Sequence, residues 1–229
     1  MNKPSFENFY RDRNFILALS FAVSFSILTL LVVYSVAESI DVLTQEFLVG
    51  YADNLPENVS TIFTYTNIPI YLTFIIGILF LIKEKYYDEF LTYISMVTVS
   101  FFTYQSLKML ISRVRPGLFI FYRSGFSYPS GHATMAFSVF IGLYVMYFIY
   151  GKMERNLLYL LVLSAPAVII TYFRVFIGFH YMTDIIGGYL LAATIVVLIP
   201  TLYRHPLIGK KIETLGYLLE KHIFSRFRL

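Results

Sequence analysis

The sequence contains no cysteine. That removes disulfides, zinc–thiolate sites and cysteine nucleophiles together, while leaving the compartment open. Charge is scarce as well. Only 14% of residues are charged, against about 25% in an average soluble domain. With 58% of 229 residues hydrophobic, too little polar surface remains to cover a water-soluble globule, and a membrane protein is the prior. Tryptophan is absent too, whereas tyrosine occurs 20 times and phenylalanine 23 times. Tyrosine therefore has to supply most of any aromatic belt at the membrane faces. No internal repeat or low-complexity tract divides the chain, so residues 1–229 read as a single domain.

Six apolar stretches are present, roughly Asn14–Ala37, Ser60–Ile82, Phe90–Ile111, Ala133–Tyr150, Leu157–Gly178 and Ile185–Tyr203. Each approaches the ~20 residues a helix needs to cross ~30 Å of hydrocarbon. Backbone groups in lipid must bond within their own segment, which predicts helices and hence an all-α, six-transmembrane-helix bundle. Ser35-Val36-Ala37 resembles a leader cleavage site. The preceding apolar run is too long for an ordinary leader, and it reads as a retained anchor.

The basic residues are unevenly placed. Thirteen of the 18 fall on one side of an alternating bundle: Lys3, Arg11, Arg13, Lys83, Lys85, Lys152, Arg155 and the tail residues Arg204, Lys210, Lys211, Lys221, Arg226 and Arg228. The segment between the first two stretches carries Glu38, Asp41, Glu46, Asp53 and Glu57 without a Lys or Arg. The positive-inside rule then predicts both termini in the cytoplasm. Lys108, Arg113, Arg115, Arg123 and Arg174 break that rule on the outer side. Two further segments have helical apolar spacing: Ile40, Leu43, Phe47 and Tyr51 in the first outer loop, and Ile212, Leu215, Leu219 and Ile223 in the basic tail, 204–229. Both read as amphipathic helices in the interface plane. The Asn58-Val59-Ser60 sequon reads as a chance match.

Three outer segments concentrate chemistry. Lys108 lies inside an apolar stretch, where a lysine costs roughly 3 kcal/mol and is a functional hypothesis by default. A lysine snorkelling to the interface is the plainer account. Arg115 follows seven residues later, about two helical turns on, so the two cations share a face. Pro116 disfavours helix at Arg115. Next comes Tyr128-Pro129-Ser130-Gly131-His132, in which Ser130 is a natural N-cap and Gly131 admits close backbone approach. A helix start with open N–H groups suits an oxyanion, and it also suits nothing more than a capped helix. Finally, Arg174 precedes His180 and Asp184, which are four residues apart. A carboxylate on one imidazole nitrogen fixes the tautomer and leaves the other to attack, although Asp184 could merely cap the last span. Gly178 offers the turn that would bring Arg174 and His180 together. Three cations, a helix N-terminus, two histidines and one aspartate at outer span ends suit phosphoryl transfer without a metal.

Lys108-x6-Arg115-Pro116, Pro129-Ser130-Gly131-His132 and Arg174-x5-His180-x3-Asp184 together resemble the type 2 phosphatidic acid phosphatase superfamily of membrane lipid phosphatases. The motif core spans 108–184, and the six-span layout extends the likeness over most of the chain. The resemblance implies that His180 attacks phosphorus and forms phosphohistidine, that Asp184 orients it, and that His132 serves as acid and then base. It further implies that Lys108, Arg115, Arg174, Ser130 and the backbone at Gly131 and His132 hold the phosphoryl oxygens. Phe173 stands where the family usually has serine, so a phosphate-facing hydroxyl is missing there. Arg113 and Arg123 fall outside the motifs and are assigned to lipid headgroups or the general field.

The resemblance implies no metal and no other cofactor, a lipid phosphate as substrate, membrane lipids as surroundings and no nucleic acid. A monomer is favoured, with Gly187-Gly188 serving packing within the chain. The compact form suggests a multi-pass protein of a bacterial plasma membrane, with its site at the extracytoplasmic face. Undecaprenyl pyrophosphate fits that face; phosphatidylglycerophosphate and phosphatidic acid stay open. A phosphotransferase using the same histidine would differ in passing phosphate to a lipid or sugar acceptor. A non-catalytic anionic-lipid binder or transporter would release no phosphate at all.

Overall fold

The computed structural model describes residues 12–52, 67–83, 86–116, 125–149 and 157–222. Arg123, the sequon at 58–60, Asp53, Glu57, Lys3, Arg11, Lys85, Lys152, Arg155, Ile223, Arg226 and Arg228 lie outside the described residues. All regular structure within the described residues is helical: α1 Arg13–Val33, α2 Glu38–Ala52, α3 Asn67–Lys83, α4 Tyr87–Ile111, α5 Gly131–Ile149, α6 Leu157–Phe176, α7 Met182–Tyr203 and α8 Pro206–His222. The all-α expectation holds. By length and composition α1, α4, α6 and α7 are able to cross a membrane, while α3 and α5 are apolar but shorter over the stretches concerned.

Local chemistry sets several of these ends. Asp12 caps α1, its Oδ1 accepting the Asn14 N–H at 2.7 Å. The elbow between α1 and α2 includes Ser35 at φ 57°, in the left-handed region that stops helices. The helix of the third apolar stretch ends at Ile111 rather than running on to Arg115. Ser112 takes φ 51°, ψ 32°, and its N–H returns to the Lys108 carbonyl. The expectation that Lys108 and Arg115 lie two turns apart on one helix face is therefore corrected. A left-handed residue closes the helix one turn sooner, and the chain up to Pro116 has no regular structure.

Helices α5 and α7 form the centre. α7 packs against α1, α4 and α5, and α5 also contacts α3, α4 and α6. Small residues let the two approach: Ala133, Ala136 and Ala192 are fully buried. A Cβ on Gly188 would stand 2.8 Å from both the Ala133 Cβ and the Ser130 carbonyl oxygen, and one on Gly187 would stand 2.6 Å from the Tyr128 ring. The Gly187-Gly188 pair thus serves packing within the chain. Around this seam lie Tyr93, Met96, Val139, Phe140, Ala167, Ile170 and Val196. Polar groups inside it are satisfied locally, with Ser138 donating to Ser100 at 2.7 Å and Tyr93 to the Val139 carbonyl at 3.1 Å.

The outer helices reverse this pattern. Over their most apolar 18 residues, 56% of α7 is buried but only 11% of α1. Ile16, Leu19, Val23, Ile27 and Leu30 of α1 are exposed, as are Leu161, Val162, Val168 and Ile169 of α6. Apolar faces this continuous require an apolar surround, and the chain is a membrane protein. Helix α2 extends the reversal: Ile40, Leu43 and Phe47 point away from the bundle, while Asp41 and Gln45 are buried against it. The apolar spacing read from sequence is present there, with its polar side turned inward. The tail helix α8 packs on α4 and α7.

Candidate active site

One end of the bundle gathers the end of α4, the segment that follows it to Pro116, the N-termini of α5 and α7, and the turn joining α6 to α7. Gly178, at φ 73°, lets that turn fold back, a conformation glycine adopts without steric cost. The Phe179 and His180 N–H groups then both bond the Arg174 carbonyl, at 3.0 and 3.1 Å. His180 consequently precedes α7 by two residues, and Tyr181 is the N-cap.

Asp184 lies in the first turn of α7 and takes on two tasks. Its Oδ2 accepts the Tyr181 N–H at 3.0 Å, capping the helix, and stands 3.2 Å from His180 Nδ1. Capping and contact with the imidazole, which read as alternatives in sequence, are made by the same oxygen. An N–H on Nδ1 leaves Nε2 with its lone pair. The α5 start is tied to the same turn, because the Ser130 N–H donates to the Asp184 carbonyl at 3.0 Å. Ser130 also caps α5, its Oγ lying 3.4 Å from the Ala133 nitrogen.

His180 opens onto a cleft of about 250 Å³. Lys108 and Gln105 of α4, Arg115, and Gly131 and His132 at the start of α5 line it, together with Tyr104 and Tyr71. Arg115 is held as a planar fork, with Nε donating to the Gly125 carbonyl at 3.0 Å and Nη1 to the Phe179 carbonyl at 2.6 Å. The same Nη1 is 3.4 Å from His180 Nε2. Lys108 Nζ lies 6.0 Å from the Tyr104 ring centroid. A Cβ on Gly131 would be 2.7 Å from that ring, so glycine lets the tyrosine lie against the open helix start.

Five of the eight residues singled out in sequence thus face one cleft: Lys108, Arg115, Gly131, His132 and His180. Ser130, Arg174 and Asp184 are fully buried and are not among its lining residues. Arg174 stacks on the Phe179 ring, its Cζ 4.7 Å from the centroid. Phe173 packs with Tyr172 and Phe176. No group of three or more His, Asp or Glu able to hold a metal occurs among the described residues.

Arg113 is placed differently from the sequence reading, which assigned it to lipid headgroups or the general field. Its side chain is 15% exposed and reaches inward. Nη1 donates to Asp184 Oδ1 at 2.7 Å and to Thr183 Oγ1 at 2.8 Å, and Nη2 donates to Asp41 Oδ2 at 2.6 Å. Burial alone lowers the Arg113 pKa. The Asp184 and Asp41 carboxylates outweigh it, the net shift is upward, and the guanidinium stays charged. Asp41, Gln45, Thr183 and Ser127 complete the surroundings, and sequence reasoning singled out none of them for the site. The available signal was Asp41 itself, an acid in a segment without cations, on the side where Arg113 is one of the few partners.

Comparison with known proteins bears on the fold and the family. A curated relative, phosphatidylglycerophosphatase B of Bacillus subtilis strain 168, is 32% identical over 87 residues, which is 36% of this chain and 42% of the relative. The match thus spans less than half the length of that relative. The crystal structure described as the first transmembrane PAP2 type phosphatidylglycerolphosphate phosphatase, from Bacillus subtilis, superposes with a TM-score of 0.64 at 22% identity. That superposition covers 80% of this chain and 94% of the other, and it shows a shared fold. Residues 89–206, from the first turn of α4 to the start of α8, match the family model for the PAP2 superfamily, and the chain belongs to that superfamily.

Proposed function

We propose that the protein is a lipid-phosphate phosphatase of the membrane, working through a phosphohistidine on His180. One observation carries this reading: His180 has Nδ1 against the Asp184 carboxylate and Nε2 in a cleft beside Arg115, with Lys108, His132 and the α5 N-terminus on the same walls. A nucleophile, cations for the phosphoryl oxygens and a second titratable group are thereby within one small volume. The cleft shares Ile70, Tyr71, Phe101 and Met135 with an almost wholly apolar groove of about 270 Å³ between α3, α4 and α5. Such a groove suits an acyl or prenyl tail.

In the first step the Nε2 lone pair forms the P–N bond as the bond from phosphorus to the leaving oxygen breaks. His132 gives that oxygen its proton. In the second, His132 takes a proton from water, the water oxygen bonds phosphorus, and the P–N bond breaks to return the lone pair to Nε2. Lys108 and Arg115 meet the phosphoryl oxygens, together with the Gly131 and His132 N–H groups. Ser130 and Arg174 act from behind the wall, the serine by shaping the helix start and the arginine through its field. The apolar faces of α1, α3, α4, α5, α6 and α7 support six spans, and the basic distribution supports cytoplasmic termini and a site at the outer face of a plasma membrane. Helices α2 and α8 then rest at opposite interfaces.

The names of the relatives place phosphatidylglycerophosphate first in a substrate panel, with undecaprenyl pyrophosphate and phosphatidic acid beside it. The test is phosphate release from each by the purified protein in one detergent, and by its His180→Ala variant. Release by wild type and none by the variant supports the reading. Label passed to a lipid or sugar acceptor instead of water points to a phosphotransferase, and no turnover of any panel member ends the proposal.

A further inference from the structure

Helix α2 lies outside the three motifs, yet one of its polar side chains bonds the backbone of His180 and another the first turn of α7. Asp41 and Gln45 are one turn apart on one face, with side chains essentially inaccessible at 0% and 2% exposure. Opposite them stand His180 and Asp184, four residues apart across the start of α7. Gln45 Nε2 donates to the His180 carbonyl at 2.9 Å. Asp41 binds the first turn of α7 directly, with Oδ1 accepting the Thr183 N–H at 3.1 Å and Oδ2 the Thr183 hydroxyl at 2.6 Å. A carboxylate at a helix N-terminus satisfies N–H groups that have no partner inside the helix.

Arg113 joins the two carboxylates. One fork nitrogen is on Asp184 Oδ1 and the other on Asp41 Oδ2, and the Tyr181 ring covers the guanidinium at 4.1 Å. With Oδ1 fixed this way, Asp184 presents Oδ2 to His180 Nδ1. Two buried carboxylates around one guanidinium leave little freedom, because breaking either pair strands a charge away from water. The two Arg113–carboxylate pairs and the bonds from α2 to His180 and Thr183 span 71 to 142 residues of sequence, so none of these follows from local geometry.

We propose that α2 is the seat of the nucleophile. Asp41 and Arg113 form a positioning pair that aims Asp184 at His180, and Gln45 holds the His180 backbone. The inference rests on His180 being the nucleophile. It assigns positioning roles to three residues outside the motifs and gives the outer helix a part in turnover. The apolar side of α2, facing away from the bundle, sets where that seat stands relative to the lipid.

The experiment uses the full chain in detergent and compares wild type with Arg113→Gln, Arg113→Lys, Asp41→Asn, Gln45→Leu and, as a control, Glu46→Gln, which removes an exposed charge from the same helix. For each, kcat and KM are measured on the best panel substrate alongside thermal unfolding. The expected result is a kcat lower by about 10- to 100-fold in Arg113→Gln and Asp41→Asn, the order set by losing one charge-assisted hydrogen bond. KM should stay within about threefold, Arg113→Lys should recover part of the loss, and Glu46→Gln should match wild type. Losses that follow only the unfolded fraction, or variants with unchanged kcat, overturn the inference while leaving the phosphatase reading standing. If Arg113→Gln does not fold, the near-isosteric Asp41→Asn decides by the same criterion. A wild type that turns over no lipid phosphate fails at the earlier step, and both proposals fall together.

Discussion

Arg115 Nη1 stands 3.4 Å from His180 Nε2. The imidazole nitrogen turned away from Asp184 therefore meets a fixed positive group that holds no proton acceptor. A phosphoryl group entering between them would place oxygen toward the guanidinium and phosphorus toward the lone pair. The fork that holds Arg115 also bonds two backbone carbonyls, at Gly125 and Phe179, and a lysine ammonium does not reproduce that planar geometry. Arg115→Lys should lower kcat/KM by about 10- to 100-fold, the cost of one or two charge-assisted hydrogen bonds. Steady-state kinetics on the panel substrate measures this.

Asp184→Asn tests the tautomer. The amide that replaces the carboxylate keeps the shape but sets an N–H2 donor among groups that already donate, namely Tyr181 N–H and Arg113. With one orientation of the amide, His180 Nδ1 becomes the acceptor and Nε2 carries the proton, which removes the nucleophile. A fall in kcat of about 10⁴ follows from the same change behind a catalytic histidine elsewhere. A fall of less than about tenfold in phosphate release would mean that Asp184 serves α7 as a cap alone.

Gly188→Ala probes the seam behind the site. Its Cβ would press on the Ser130 carbonyl and Ala133 at 2.8 Å, one of them backbone, so α5 and α7 must separate. Overpacking of this kind costs about 1–3 kcal/mol. The shift falls on the residue beside Gly131 and His132, so thermal stability and kcat should drop together, in contrast to the cleft variants, which should leave stability intact.

Tyr128 supplies a pH test. Burial pushes its hydroxyl up to about 12, from about 10 in an unfolded chain. The fold prefers the neutral hydroxyl, so this contribution is complete below about pH 10 and is lost as pH rises through 12. Tyr128→Phe removes the hydrogen bond between Tyr128 Oη and Thr29 Oγ1, 2.8 Å long, and should lower stability by about 1 kcal/mol near pH 8. It should also flatten the decline between pH 10 and 12, as read by thermal unfolding across that range.

Chelation separates two ways of neutralising a phosphoryl group. Lys108 and Arg115 line the cleft, and side-chain cations of this kind can take the charge that a bound metal takes in other phosphoryl-transfer sites. Phosphate release should therefore be unchanged in excess chelator. Complete loss, restored by magnesium, would contradict the proposed chemistry.

The departure at Arg113 shows where sequence reading stopped. Its neighbours Lys108 and Arg115 declared themselves through spacing and through the cost of charge near lipid. Arg113 carries the same charge, and nothing within its own segment distinguishes a headgroup contact from a buried ion pair. The distinction depends on Asp41, 72 residues earlier, and Asp184, 71 residues later. The end of α4 is similar: Pro116 announces that a helix must stop, but the left-handed Ser112 that stops it a turn before Arg115 carries no mark in the sequence.

Hydropathy and residue order determined the helical class, the apolar segments, the capping serine, the turn at Gly178 and the residues that carry charge and imidazole to one end of the bundle. These depend on local hydrogen bonding and on the cost of putting polar groups in lipid, both written in short windows. Only the tertiary structure decided which groups face the cleft and which stand behind it, and that α2 turns Asp41 and Gln45 inward while Ile40, Leu43 and Phe47 face away. Those outcomes depend on which distant segments share a buried space, where each charge needs a specific counter-charge and each donor a specific acceptor.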